Sequence, residues 1–312
     1  MSKIKRNKPK WLKIVTIVSL VLLFGIAIYG FTFYRSLSTA LEDIHEPLDR
    51  KSEKRAQEVT LQKQEPFSIL MLGVDERAGD KGRSDTMILV TVNPNQNSTK
   101  MLSIPRDTYT EIIGKGTEDK INHAYAFGGP EMSMDTVENF LDIPVDYYMK
   151  INMEGFKEIV DAVGGITVNN NLDFEYGGNH FPLGEITLTG EDALNYSRMR
   201  KEDPNGDFGR QQRQRMIIQG VIKKGANLNS ITNFSSIFEA LGNNVKTNLT
   251  FSEMVDLQQN YKNASQNIEH ITISGTGTMM GGIYYLVVPD QEKNRVQSIL
   301  KSHLELEKAV KQ

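Results

Sequence analysis

The chain has 312 residues, of which 39% are hydrophobic and 24% charged, a balance that supports one or two cored domains and excludes a disordered chain. It contains no cysteine, which excludes disulfides, thiolate metal sites and a cysteine nucleophile. The net charge of −3 is unevenly spread: residues 1–34 carry six Lys or Arg and no acid, while the remaining 278 residues carry 30 basic and 39 acidic side chains, a net of −9. A duplex-binding domain is normally basic over its folded part, so nucleic acid is not an expected partner.

Residues 14–34, IVTIVSLVLLFGIAIYGFTFY, hold no charged side chain. At about 1.5 Å per residue they reach roughly 30 Å, the thickness of a bilayer core. The basic tip 1–13 precedes them and should stay cytoplasmic. Ser38 and Ala40 offer a cleavage site for a signal peptide, but the apolar run exceeds an ordinary signal core of about 7–15 residues. The expectation is an uncleaved single-pass type II anchor in the cell membrane, with everything after it facing outward. Residues 35–65, charged and without apolar periodicity, read as a stalk, and residues 66–312 as the domain.

Within the domain, strands are expected over 67–75, 86–94 and 100–107, the third stopped by Pro105. A helix follows at about 131–141, with Pro130 in its first turn and Pro144 beyond its end. YYMKIN reads as a strand. MEGFKEIVDAVGG reads as a helix stopped at Gly164, and GITVN as another strand. TGEDALNYSRMR and DFGRQQRQRMIIQGVIKKGA read as two helices, the second of about 18 residues. NFSSIFEALGN and TFSEMVDLQQNYKNA are further helices, the latter with a Thr250–Glu253 capping box. NIEHITISG and GIYYLVVP are late strands, and Asp290 caps a C-terminal amphipathic helix. Strands and helices alternate without a break in composition. The fold class is therefore α/β, one domain with a mixed central sheet flanked by helices.

Asp75 follows an apolar strand directly, and ligands bind at such strand ends in open α/β sheets. The glycine-containing loop after it could return Arg83, Ser84 and Asp85 towards Asp75. Two carboxylates there suit a hard cation such as Mg²⁺, which takes one or two carboxylates plus substrate phosphates. The competing reading is that both acids are turn formers. Arg106, just after the third strand, falls at the same sheet edge if the first and third strands run the same way. Its competing role is a surface ion pair with Asp107.

SRMRKEDPNGDFGRQQRQR, residues 197–215, holds five of the thirteen arginines. Arg198 and Arg200 end one helix, and Asp207 can cap the next. On that next helix Arg210, Gln214, Ile217 and Val221 share a face. Its apolar part must be buried, so Arg210 and Gln214 point inward, where an arginine needs an anion. Arg213 and Arg215 flank the face and are expected to be solvated or salt-bridged. Arginine offers a rigid fork that matches phosphate oxygens.

GVDER, RSDTMILVTVNP, MLSIPRDTYTEI, KINHAYAFGG and YSRMRKEDPNGDFGRQQRQR together closely resemble the LytR-CpsA-Psr family of cell-envelope proteins. The likeness is dense over residues 66–225 and looser to residue 311. It implies a phosphotransferase outside the membrane of a Gram-positive envelope. Such an enzyme moves a glycopolymer, wall teichoic acid in many members, from a polyprenyl pyrophosphate lipid to the C6 hydroxyl of N-acetylmuramic acid in peptidoglycan. By the family pattern Asp75 and Asp85 would bind Mg²⁺ or Mn²⁺. Arg83, Arg106, Lys120, Arg198, Arg200, Arg210 and Gln214 would hold the pyrophosphate. Asp85, Arg83 and Arg106 are the candidates for catalysis, Asp85 as general base. The prenyl tail would enter an apolar pocket between sheet and helices. Two other readings remain beside transfer: a hydrolase of the lipid pyrophosphate, and a non-catalytic lipid or glycopolymer binder.

Overall fold

The computed structural model describes residues 44–75, 82–226 and 241–306, with the single positions 24, 31 and 35. The anchor 14–34 lies outside the described residues except for Phe24 and Phe31, and so does the expected helix at 233–243 up to residue 240. Among the described residues no helix is long and apolar enough to cross a membrane.

In chain order the first half contains β1 (Phe67–Val74), β2 (Ser84–Asn93), β3 (Ser98–Ile104), β4 (Tyr109–Ile112), β5 (Thr117–Lys120), α1 (His123–Leu141), β6 (Tyr147–Ile151) and α2 (Met153–Ala162). Then come β7 (Ile166–Asn170), β8 (Phe174–Tyr176), β9 (Asn179–Phe181), β10 (Gly184–Leu188), α3 (Gly190–Arg198) and α4 (Asp207–Ala226). The last part holds β11 (Val245–Thr247), α5 (Phe251–Asn260), β12 (Asn267–Ile271), β13 (Thr276–Met280), β14 (Ile283–Val287) and α6 (Asp290–His303). Six strands form one sheet in the order β11-β6-β1-β2-β3-β12. β1 pairs antiparallel with β2 and parallel with β6, and β3 pairs antiparallel with β2 and parallel with β12, so the sheet is mixed as expected.

A strand that is apolar on both faces needs cover on both. Leu70, Leu72 and Leu89 of the sheet meet Val137 and Phe140 of α1 and Val296 and Leu300 of α6 on one side. Ile88, Val90 and Met101 face the other side, where Ile218 and Ile222 of α4 pack. A second, smaller core built on Phe174, Phe181, Leu188 and Tyr196 lies against α4 as well, through Ile217. α4 is thus covered on two sides. That arrangement overturns the solvated placement of Arg213 and Arg215, which rests on a helix with a single buried face, while the salt-bridged alternative holds for Arg213. Arg213 and Arg215 are 2% and 8% exposed. Arg213 turns towards the smaller core, donates to the Asp203 carboxylate at 2.5 Å and to the Tyr196 and Met199 carbonyls, and stacks over Phe174. Arg215 turns towards the sheet and donates to Ser103 Oγ at 2.9 Å.

Several other expectations gain detail. The helix expected from Pro130 is preceded by residues 123–127, separated from it by the non-helical Gly128 and Gly129. The Thr250–Glu253 capping box is present. Asp290 is the first residue of α6 rather than its cap, and the cap position is taken by Pro289. Residues 44–65 do not stand free: Ile44 and Leu61 are buried, and Arg50 bonds Asp135 and Glu138.

His303, at the end of α6, is 1% exposed, with Nδ1 at 2.7 Å from Thr91 Oγ1 and Nε2 at 2.9 Å from Ser98 Oγ. Burial, helped by the Lys100 charge, pushes its pKa down to about 4. The unfolded chain protonates histidine near 6.5. The contribution of neutral His303 is therefore complete above about pH 6.5 and is lost as pH falls towards 4, because the unfolded state takes up the proton first. His303→Gln should flatten this part of the stability profile, read as urea midpoints between pH 7 and 4.5. A profile as steep as the parent's contradicts a buried neutral His303.

Candidate active site

Two strand ends converge at the cleft. The register of β1 on β2 slips so that Gly73 faces Thr86 while Val74 faces Ser84, leaving Asp85 as the extra residue of a β-bulge. A bulge bends its strand and re-aims the side chain it carries. Asp85 and Asp75, the residue after β1, line one cleft of about 260 Å³. Gly82 permits the approach. It sits at φ +69°, and a Cβ there would lie 2.6 Å from the Asp75 carbonyl oxygen. Asp85 and Asp75 thus meet at one cleft, as the expected return requires.

The cations come from three elements. Arg106 follows β3, which runs parallel to β1, and its Nη1 donates to Asp85 Oδ1 at 2.6 Å. Burial opposes the Arg106 charge, but the bond to Asp85 and the fields of Asp85, Asp107 and Asp207 raise its pKa above the ordinary value. Arg210, in the first turn of α4, pairs through Nη2 with Asp207 at 2.7 Å. Its Nε is buried and has no hydrogen-bond partner among the described residues. Gln214 lines the cleft one turn further on, and Arg198 lines it from the end of α3, donating to Met153 Sδ. Lys120 stands one carboxylate away: its Nζ donates to Asp107 Oδ1 at 2.6 Å, and Asp107 Oδ2 is 3.8 Å from Arg106 Nε. Arg83 and Arg200 are exposed and are not among the side chains lining the cleft.

Two contributors, Asp203 and Asn152, escape the sequence reading, and two more, Asp207 and Asp107, enter it only as a helix cap and as a surface ion-pair partner of Arg106. Asp207, expected as a helix cap, instead spends its carboxylate on the side chains of Arg210 and Gln211. The loop before α4 is held by Asp203, which accepts from the Asn205 amide at 2.7 Å. Asp107 bridges Arg106 and Lys120. Asn152 caps α2 and borders the cleft. Its position directly after β6 is the available signal, by the same strand-end rule that finds Asp75.

Beyond the cleft lies an apolar cavity of about 410 Å³ between the sheet and α2, α4 and α5. Met71, Ile151, Phe156 and Ile218 line both spaces, so the polar cleft adjoins the cavity directly. The size falls within the roughly 300–1,000 Å³ of small-molecule sites. Two carboxylates in an arginine-lined cleft fit Mg²⁺, which needs few protein ligands. Among the described residues no group of three or more His, Asp or Glu gathers, so a closed all-protein metal cage does not fit.

A model of the LytR_cpsA_psr family matches residues 31–302. The chain is 55% identical over 301 residues to the polyisoprenyl-teichoic acid–peptidoglycan teichoic acid transferase TagU of Bacillus subtilis, covering 96% of this chain and 98% of that one. A crystal structure from Enterococcus faecalis described as a transcriptional regulator superposes with a TM-score of 0.73 at 40% identity, over 81% of this chain and 95% of the other. A structure of TagT bound to LIIa-WTA superposes with a TM-score of 0.71 at 33% identity, over 84% and 100%.

The Asp203–Arg213 pair holds the loop that presents Arg210, and both side chains are at most 4% exposed. Gly209 leaves room for it, since a Cβ there would lie 1.9 Å from Asp203 Oδ2. Breaking a buried pair from one side strands the other charge. Asp203→Asn should cost about 3–5 kcal/mol, seen as a lower urea midpoint at unchanged slope. A loss below about 1 kcal/mol, the range of surface pairs, contradicts this role.

Proposed function

The chain belongs to the LytR-CpsA-Psr family and is an enzyme, a transferase, and from that premise we propose its substrates and its chemistry. The donor is a glycopolymer, teichoic acid, carried on a polyprenyl pyrophosphate lipid. The acceptor is the C6 hydroxyl of N-acetylmuramic acid in peptidoglycan, and the reaction takes place on the outer side of the cell membrane. One observation carries this reading: a cleft lined by Asp75, Asp85, Arg198, Arg210 and Gln214 adjoins an apolar cavity. A highly charged headgroup followed by a hydrocarbon tail has that shape. The name of the Bacillus subtilis relative and the ligand of TagT point the same way.

In the proposed reaction the acceptor oxygen attacks the phosphorus that bears the glycopolymer. The bond from that phosphorus to the bridging oxygen breaks, and prenyl phosphate leaves with the electron pair. Asp85 takes the acceptor proton. Arg106, Arg198 and Arg210 hold the phosphate oxygens and stabilise the charge that gathers on the leaving group. Mg²⁺ at Asp75 and Asp85 supplies further neutralisation of the phosphate oxygens when bound. Before the donor arrives, Arg106 is paired with Asp85 and Arg210 with Asp207. Binding then exchanges one anion for another, so neither guanidinium is left without a partner at any stage. The energy comes from the substrate's own anhydride.

Full-length chain incubated with donor labelled in the polymer, Mg²⁺ and peptidoglycan should place the label in the glycan. Free labelled polymer would instead mean hydrolysis, and intact bound lipid would mean capture. Arg198→Ala and Arg210→Ala should each lower the transfer rate by about 10²–10³, the cost of removing one electrostatic donor. Parent-like turnover by either variant contradicts the cage.

A further inference from the structure

Residues 275–289, GTGTMMGGIYYLVVP, carry no charge. They form the β13–β14 hairpin, whose tip exposes Met279 (63%), Ile283 (51%) and Tyr284 (47%). Met279 pairs with Tyr284 and Met280 with Ile283. Adjacent pairs project to opposite faces of a ribbon, so this tip is apolar on both. A surface hairpin normally keeps one face polar for water.

Its position narrows the occupant. β3 runs parallel to β1, so the residues after β3 lie at the sheet end that carries Asp75. The hairpin is rooted there: the Leu286 amide donates to the Asp107 carbonyl at 2.8 Å, and the Tyr285 ring lies 5.1 Å from that of Tyr109. The N-terminal segment reaches the domain at the same end. His45 pairs parallel with Thr247 of β11, and β11 runs antiparallel to β6, with Val245 opposite Ile151. Ile151 in turn pairs with Gly73. Ile44, where the continuous described chain begins, therefore lies towards the cleft end of β11. Only residues 35–43 separate Ile44 from the uncharged run 14–34, and nine residues reach at most about 30 Å.

We propose that the β13–β14 tip docks on the lipid bilayer, seating Met279, Ile283 and Tyr284 at the boundary between headgroups and acyl chains. A tyrosine beside aliphatic side chains suits that boundary. With no charge on the hairpin, binding comes from apolar burial and is insensitive to salt and to anionic lipid. Together with the anchor, the tip gives the domain two membrane contacts and fixes how the cleft faces the surface. The inference rests on the anchor expected from residues 14–34 and on the lipid-borne substrate proposed above.

Because the chain has no cysteine, Met279→Cys, Ile283→Cys and, as a reference, Leu183→Cys (63% exposed) can each carry a single nitroxide. The full-length variants are reconstituted in phosphatidylcholine vesicles, with and without phosphatidylglycerol. At 279 and 283 the label should be more accessible to oxygen than to a water-soluble nickel chelate, in both lipids and at raised salt, with the reverse at 183. Labels at 279 and 283 that behave like 183 overturn the proposal. So do labels immobilised only by added peptidoglycan fragments or by a second copy of the chain. A chain that fails to float with vesicles overturns the anchor as well, whereas a floating chain with water-exposed labels overturns the hairpin contact alone. In a second measurement, the Met279→Asp/Ile283→Asp variant should transfer about tenfold more slowly from a long-prenyl donor in vesicles and at the parent rate from a short-prenyl donor in solution. Equal rates in vesicles contradict the contact.

Discussion

A guanidinium removed from water must meet an anion or enough hydrogen-bond acceptors. α4 buries two and half-buries a third, because it is packed between the sheet on one side and the smaller core on the other. Each is answered differently. Arg213 receives a buried carboxylate, two carbonyls and an aromatic face. Arg215 receives only Ser103 among the described residues, and burial lowers its pKa. Arg210 receives one carboxylate and keeps a buried Nε without a partner among the described residues. The first is a structural joint, while the last is the donor that the proposed reaction assigns to a substrate oxygen.

The joint and the cleft depend on each other. Asp203 anchors the loop that starts α4, and the start of α4 brings Arg210 and Gln214 over the end of β1. The β-bulge supplies the opposing wall by turning Asp85 towards Asp75 and Arg106. The site is consequently built at a point where rigid elements end, with four carboxylates set among its cations. Such interleaving keeps the cleft's own side chains near neutrality and leaves it able to accept a multiply charged group. The apolar cavity behind Met71 and Phe156 gives the same cleft a direction, since only a ligand with charge at one end satisfies both spaces.

Much of this is legible in the residues. The apolar run before Asp75, the glycine-containing return to Asp85 and the spacing of Arg210 with Gln214 each locate a cleft residue through a period or a strand end. What stays hidden depends on partners distant in the chain. A bulge has no sequence signature of its own, so only the convergence of Asp75 and Asp85 can be expected. Arg213, salt-bridged as one alternative had it, and Arg215 are set too near the surface because a helical wheel assumes one buried face. Asp207 reads as a cap because a cap and an ion-pair partner use the same residue at the same place. The ribbon β4–β5, with Lys120 at its end, is short and polar, TEDK in one strand, and carries no apolar alternation. Residues 44–65 look like a stalk in composition, although Arg50 and Leu61 bind them to the domain.

The most direct test of the account is a crystal structure of the protein grown with Mg²⁺ and a short-chain prenyl pyrophosphate. The account predicts the pyrophosphate among Arg106, Arg198 and Arg210, with the metal at Asp75 and Asp85, the prenyl chain in the cavity behind Phe156, and the Asp203–Arg213 pair unbroken. A pyrophosphate bound elsewhere, or one bound in the cleft with its prenyl chain outside the cavity, would contradict it.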